Sequence, residues 1–154
     1  MEALLALLEQ SPPAMWLRFS RWGYAAVNTL HVLGIALLVG AIVPLDLRLL
    51  GWARGLPLLP LTRLLQRVAI GGLLLALVTG ALLFASRATE YASEPLFVFK
   101  LGLIALALGN ALLFNLGPGV EHASPRRRRL AGGLSLLLWP GILVAGRLLA
   151  FVAD

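Results

Sequence analysis

The stretch from Tyr24 to Val43, YAAVNTLHVLGIALLVGAIV, contains no acidic or strongly basic side chain and a single histidine, His31. About 20 apolar residues in a helix cover the roughly 30 Å hydrocarbon core of a bilayer, and this stretch has that length. Backbone groups in lipid must be hydrogen-bonded within their own segment, so a span of this kind has to be helical. The stretch therefore predicts a transmembrane helix.

Three later runs have the same character, and the chain as a whole agrees with them. Of its 154 residues, 60% are hydrophobic and 13% charged, whereas a soluble domain carries about 25% charged residues. The mean hydropathy is +0.91. We predict an all-α integral membrane four-helix bundle that forms a single domain over residues 1–154. The four predicted spans are residues 24–43, 68–85, 96–116 and 130–152.

The segments outside the spans are also expected to touch the membrane. The N-terminal MEALLALLEQ lacks the basic region and the cleavage site of a signal peptide, so we predict a short interfacial helix that ends at Ser11–Pro13. Pro44 is expected to end the first span, and the segment 44–67 to lie along the membrane surface as an amphipathic connector. With these boundaries the spans contain no Asp or Glu.

The arginines predict the orientation of the chain. Four lie between the first two spans and four more between the last two, at residues 126–129, whereas those on the opposite side are diluted by glutamates. The positive-inside rule then places the first and third loops in the cytoplasm and both termini in the periplasm of a bacterial inner membrane. Although the net charge is +6, basic residues beside apolar runs indicate contact with lipid head groups, and no nucleic-acid partner is expected.

His31 is the first candidate for a functional site, because an ionisable group in a membrane helix costs several kcal/mol unless it is paired, neutral or near water. On a helical wheel His31 shares a face with Tyr24, Asn28 and Gly34. Asn28 adds a polar group to this face, and Gly34 allows a bulky group to approach. Three roles remain open: a neutral histidine bonded to a neighbouring helix, an axial ligand of heme iron, or a proton relay.

Lys100 is the second candidate, as it is the only lysine in the chain and lies near the start of the third span. Its ammonium group could simply extend to the interface along the helix. Alternatively, Lys100 has a chemical role that arginine could not fill, because a lysine amine can lose its proton and donate a lone pair whereas a guanidinium stays protonated. The topology places Lys100 in the same half of the membrane as His31, which makes these two residues the candidate metal ligands.

Three arginines are predicted on that same side, namely Arg21, Arg87 and Arg147. Each could extend to the interface, or could pair with a carboxylate such as a heme propionate. Other chemistries find no support in the sequence. The absence of cysteine excludes disulfides and thiolate sites, and no HExxH, CxxC, GxSxG or P-loop pattern is present.

The segment LHVLGIALLVGAIVPLDLRLLG, at residues 30–51, resembles the first helix of an uncharacterised family of small four-span bacterial inner-membrane proteins. More distantly, the chain resembles HemJ-type protoporphyrinogen oxidases and CopD-like copper-resistance proteins. The HemJ resemblance implies a heme b held by His31 and by Lys100 of FKLGLIAL. This chain lacks a second histidine in its spans, so a bis-histidine heme cannot form within one subunit.

Three functions are compatible with these observations. The first is a heme b-binding membrane protein with an electron-transfer or redox role, in which His31, Lys100, Asn28 and Gly34 surround the cofactor. The second is a cofactor-free accessory subunit that packs against membrane protein partners or further copies of itself. The third is a HemJ-like porphyrinogen oxidase. We do not expect the chain to be an enzyme by itself.

Overall fold

The structure is a computed structural model that describes residues 2–117 and 119–152. Every regular element in these two ranges is an α-helix, which confirms the all-α prediction. The helices are α1 (Glu2–Glu9), α2 (Pro12–Phe19), α3 (Arg21–Leu50), α4 (Leu58–Ser86), α5 (Ala88–Ser93), α6 (Pro95–Leu116), α7 (Gly119–His122) and α8 (Pro125–Val152).

Four of these helices, α3, α4, α6 and α8, are long and apolar enough to cross a membrane. Short connections join them, so consecutive spans run in opposite directions. One end of the bundle, which we call the α5 end, carries α1, α2 and α5. The other, the α7 end, carries α7 and the turn over residues 51–57. The chain is thus a multi-pass membrane protein whose exposed apolar faces contact lipid.

The closest contact in the bundle joins α3 to α4 through two glycines. A Cβ atom at Gly34 would lie 2.7 Å from the backbone nitrogen of Ala76, and one at Gly72 would lie 2.6 Å from that of Leu38. Only hydrogen atoms fit at both positions, so the backbones of the two helices touch. Small residues allow this close approach in membranes, where van der Waals packing replaces the hydrophobic effect between helices.

Helices α3 and α8 form the middle of the arrangement, because α4 packs against α3, α3 against α8, and α8 against α6. The core that they share is apolar and contains one tryptophan. Its buried members are Leu38, Ala41, Ala69, Ala107, Leu138, Trp139 and Ile142. Two side-chain bridges join α6 to α4. Phe84 stacks on Phe97 with centroids 5.2 Å apart at the α5 end, and Gln66 donates to Asn115 over 3.0 Å towards the α7 end.

The predicted N-terminal helix is present as α1. The structure adds a second short helix, α2, directly after the point where the sequence predicted that the first helix ends. Proline is well tolerated in the first turn of a helix, so Pro12 and Pro13 begin α2 as well as separating it from α1. Glu9 accepts a hydrogen bond of 2.7 Å from the backbone nitrogen of Thr89. This bond lowers the pKa of Glu9 and ties α1 to α5.

The first span is longer than predicted, and the surface connector is correspondingly shorter. Helix α3 continues through Pro44 to Leu50, and α4 begins at Leu58, so only residues 51–57 form a turn. A proline removes one helical hydrogen bond, yet membrane helices accommodate it because neighbouring helices satisfy the freed backbone group. Asp46 therefore lies buried in helix α3, and not in the surface connector predicted for residues 44–67.

The fourth span also starts earlier than predicted. Helix α8 begins at Pro125, so the basic run 126–129 forms its first turn rather than a loop. Arg127 donates to the carbonyl of Leu113 over 2.8 Å, and Arg128 to that of Glu121 over 3.0 Å. These two arginines therefore hydrogen-bond to backbone carbonyl groups of neighbouring helices at the α7 end.

Candidate functional site

The hydrogen bonds of His31 determine which of its ring nitrogens carries the hydrogen. Nδ1 lies 3.0 Å from the carbonyl oxygen of Ala76 and 3.1 Å from Oγ1 of Thr79. The Thr79 hydroxyl donates its own hydrogen to the carbonyl of Leu75 over 2.6 Å. Both partners of Nδ1 are therefore acceptors, and Nδ1 must be the donor. In a neutral imidazole this leaves Nε2 with a free lone pair.

Helix α4 provides the surface against which the imidazole lies. A Cβ atom at Gly80 would be 2.9 Å from Cε1 of His31, so only glycine leaves room for the ring. Gly34, one turn further along α3, sets the helix spacing, as described above. The sequence identified His31 and Gly34 but not Thr79 or Gly80, since a single sequence does not show which helix the histidine faces.

Asn28 does not join this site. It is exposed on α3, whereas His31 is half-buried against α4.

Lys100 lies in the same half of the bundle as His31 but contacts a different helix. Its Nζ would be 3.4 Å from a Cβ atom at Gly146 of α8, so a glycine again makes room for the basic group. The two candidate ligands thus lie in the same half of the bundle, but the His31 ring is held against α4 and the Lys100 ammonium against α8.

Arg21 and Arg87 meet at the α5 end, beyond His31 along the α3–α4 interface. Together with Arg18 and Tyr24 they line a cavity of about 360 Å³, which we call the basic rim. Glu90 lies at its edge, 3.5 Å from Arg87. Arg18 also pairs with Glu9, at 3.8 Å, so Arg21 is the guanidinium of the basic rim that remains available to an anion among the described ion pairs.

Arg147 does not belong to the basic rim. Its guanidinium lies over the ring of Phe151, 4.8 Å from the centroid, on an exposed part of α8. A cation–π contact of this kind anchors an arginine at a membrane interface without any carboxylate partner.

Asp46 is a polar residue that the sequence interpretation missed. It is 4% exposed, and its Oδ2 atom has no hydrogen-bond partner among the described residues. It lies towards the α7 end, far along α3 from His31. The spacing of Leu45 and Leu49 continues the apolar face of α3 past Pro44, and this signal could have shown that the helix does not end there.

The described residues do not form a cluster for a bare metal ion. Within residues 2–117 and 119–152, no three His, Cys, Asp or Glu side chains are grouped so that they could hold a metal ion. A heme iron needs fewer protein ligands, and a ligating histidine usually donates its other ring N–H to a carbonyl, as His31 does to Ala76. The basic rim provides partners for propionates.

Comparison with known proteins identifies no relative of the chain. No family model matches the chain, and neither a curated protein nor a solved structure matches it.

Proposed function

We propose that the chain binds one heme b in the half of the bundle nearest the α5 end and serves as a membrane redox protein. The observation that carries this proposal is the free Nε2 lone pair of His31, on an imidazole whose Nδ1 is fixed by Ala76 and Thr79. Bound there, the heme iron would supply a one-electron couple.

The residues around His31 have separate roles in this proposal. His31 is one axial ligand, and Lys100 is either the other ligand or a positive charge beside an open position. Arg21 and Arg87 bind the propionates at the basic rim, where planar guanidinium groups suit carboxylates. Arg147 and Asn28 lie outside this arrangement and are not assigned a role.

Helix α6 is the element that has to admit the cofactor. Five cavities in the described part of the chain are lined by neither His31 nor Lys100, so a heme at the imidazole requires the helices around it to separate. Helix α6 is the least buried span and is joined to α4 by the Phe84–Phe97 and Gln66–Asn115 bridges. Heme binding in this proposal requires α6 to move away from α4.

The proposed location is a bacterial inner membrane with the α5 end in the periplasm. The arginines of the α7 end support this orientation through the positive-inside rule. Heme and the basic rim would then be on the periplasmic side, within reach of an electron-transfer partner there.

Absorption spectroscopy tests the proposal. Wild-type protein expressed with ample heme should purify with a Soret band, and His31→Ala should lose it because no other imidazole lies in the spans. His122→Ala is the matched control and should keep the band, since His122 lies in α7 at the surface. A colourless wild type, or a His31→Ala protein with an unchanged spectrum, would contradict heme ligation by His31.

Lys100→Arg separates the two roles of the lysine. Arginine keeps the charge but cannot ligate iron at neutral pH. If Lys100 is the sixth ligand, the variant retains heme with a shifted, high-spin spectrum. If it is only a nearby charge, the spectrum stays that of the wild type.

A second candidate, a cofactor-free subunit of a membrane complex, is supported by the exposure of α6. This span leaves large apolar side chains uncovered along its length, which a partner helix could cover in place of lipid. A colourless protein that purifies with a stoichiometric membrane partner, and loses it when exposed α6 residues such as Leu106 and Leu113 are changed to Ala, would favour this candidate.

A further inference from the structure

A second polar site lies towards the α7 end, away from His31 and Lys100. A cavity of about 220 Å³ opens between the four spans there, and α7 borders it. Most of its lining is apolar, including the indole of Trp139. Its polar lining residues are Asp46, Thr62, Gln66, Asn110, Asn115 and Ser135.

Asp46 is placed in this cavity by the continuation of α3 and by a close contact with α8. A Cβ atom at Gly132 would be 3.2 Å from the backbone oxygen of Asp46 and 3.0 Å from Cβ of Leu49, so glycine lets α8 approach at this level. Ser135, on the same helix, is close enough to hydrogen-bond to the carboxyl group, whereas the Oδ2 atom has no partner among the described residues. Burying a carboxylate oxygen without a partner is costly, so the position requires an explanation beyond packing.

Three amide side chains around Asp46 each donate one N–H to a protein acceptor, and two of them, Asn110 and Gln66, keep an oxygen that accepts none of these bonds. Asn110 donates to the carbonyl of Ala131 over 3.0 Å, which leaves its Oδ1 free of that bond. Asn115 donates to the carbonyl of Ala111 over 2.8 Å, so its Oδ1 is the atom that accepts from Gln66. The Oε1 atom of Gln66 takes no part in the hydrogen bond to Asn115.

Thr62 follows the same pattern, since its hydroxyl donates to the carbonyl of Leu58 over 2.8 Å and can only accept a further bond. The cavity lining thus offers the oxygens of Thr62, Gln66 and Asn110 beside one carboxyl group, and each amide also keeps a second N–H. The unpartnered carboxyl oxygen of Asp46 is complementary to a ligand that brings hydrogen-bond donors and positive charge.

We propose that this cavity binds a small monovalent organic cation, a primary ammonium with an apolar body. One carboxylate balances one positive charge, and Asp46 is the only acidic residue among those lining the cavity. An ammonium offers three donors to the acceptors around Asp46. The apolar walls and the face of Trp139 suit a hydrocarbon body more than a bare alkali ion, because an indole attracts a cation and its neighbouring methylenes.

Isothermal titration of the purified full chain with benzylammonium chloride at neutral pH tests this site. Wild type should bind it saturably, and Asp46→Asn should weaken binding at least about tenfold because a charge-assisted hydrogen bond is lost. Benzyl alcohol, which lacks the charge, should bind wild type and Asp46→Asn equally. Empty micelles correct for partitioning of either compound into detergent.

Two further variants separate a site from a folding effect. Glu121→Gln removes a carboxylate at the same end but outside this cavity, and should bind as the wild type does. Ser135→Ala keeps the carboxylate and should weaken binding a few-fold. Equal elution volume and circular dichroism would show that Asp46→Asn is folded.

The proposal would be overturned if folded wild type showed no saturable benzylammonium binding, or if binding were unchanged in Asp46→Asn. Asp46-dependent heat with sodium chloride, in the absence of any response to benzylammonium, would likewise overturn it by showing a bare cation as the ligand. Because this site is independent of His31, these results leave the heme proposal to its own test.

Discussion

Gly72→Leu should prevent stable assembly of the bundle, whereas Gly71→Leu should not. A side chain at Gly72 would meet the backbone of α3 at Leu38 and Gly34, at 2.6 and 2.7 Å, and neither atom can move without moving the helix. Overpacking typically costs about 1–3 kcal/mol and more when the backbone must shift, so we expect about 3 kcal/mol or more here. The His31 site should be lost with the α3–α4 contact.

Gly71 is the matched control because a Cβ atom there has nothing within 4 Å. Both substitutions gain the same intrinsic helix propensity, so their difference reports the contact with α3 alone. Thermal unfolding in detergent, followed by circular dichroism and by the monodisperse fraction on gel filtration, provides the comparison. Equal stability of the two variants would mean that α3 and α4 do not touch at Gly72.

Asp46→Leu should stabilise the protein. The substitution removes a buried carboxyl oxygen that lacks a partner and places apolar atoms beside an existing cavity. Leaving a buried polar group unsatisfied costs about 1–3 kcal/mol, and the free energy of unfolding should rise by about that amount. Asp46→Asn, which keeps the volume and polarity, should gain less.

The same pair of variants indicates why the residue is present. If Asp46→Leu raises the unfolding temperature while benzylammonium binding is lost, Asp46 lowers stability and serves the cavity. If Asp46→Leu unfolds more easily than the wild type, the carboxyl group has a structural partner, and the inference of an orphan acceptor is wrong. Thermal unfolding of the three proteins in one detergent provides the measurement.

The four spans and α1 were predictable from the sequence because apolar length alone determines a membrane helix. The end of the first long helix was not predictable. In water a proline such as Pro44 commonly ends a helix, but in lipid no water is present to bond the backbone groups that a helix end would expose, so a bent helix is less costly than a broken one. That single difference moved Asp46 from a presumed surface segment into the core. The start of α2 at Pro12 was missed for a related reason, because a proline can begin a helix as well as end one.

The candidate site was predictable in its residues but not in its contacts. His31 and Lys100 stand out because ionisable groups are rare in spans, and the predicted topology places both in the same half of the membrane. Which helix each side chain faces depends on how the spans are arranged, and one sequence carries no information about that order. The contacts of Thr79 and Gly80 with His31, and of Gly146 with Lys100, could therefore be recognised only from the structure.

The state of His31 can be measured directly with one labelled residue. His122→Gln leaves His31 as the only histidine, and protein labelled with ¹⁵N-histidine and prepared without heme then gives two ring-nitrogen NMR signals. The structure predicts a neutral ring at pH 7 with hydrogen on Nδ1 and an unprotonated Nε2. Hydrogen on Nε2, or on both nitrogens, would mean that no lone pair is free to bind iron, and the proposed function would have lost its basis.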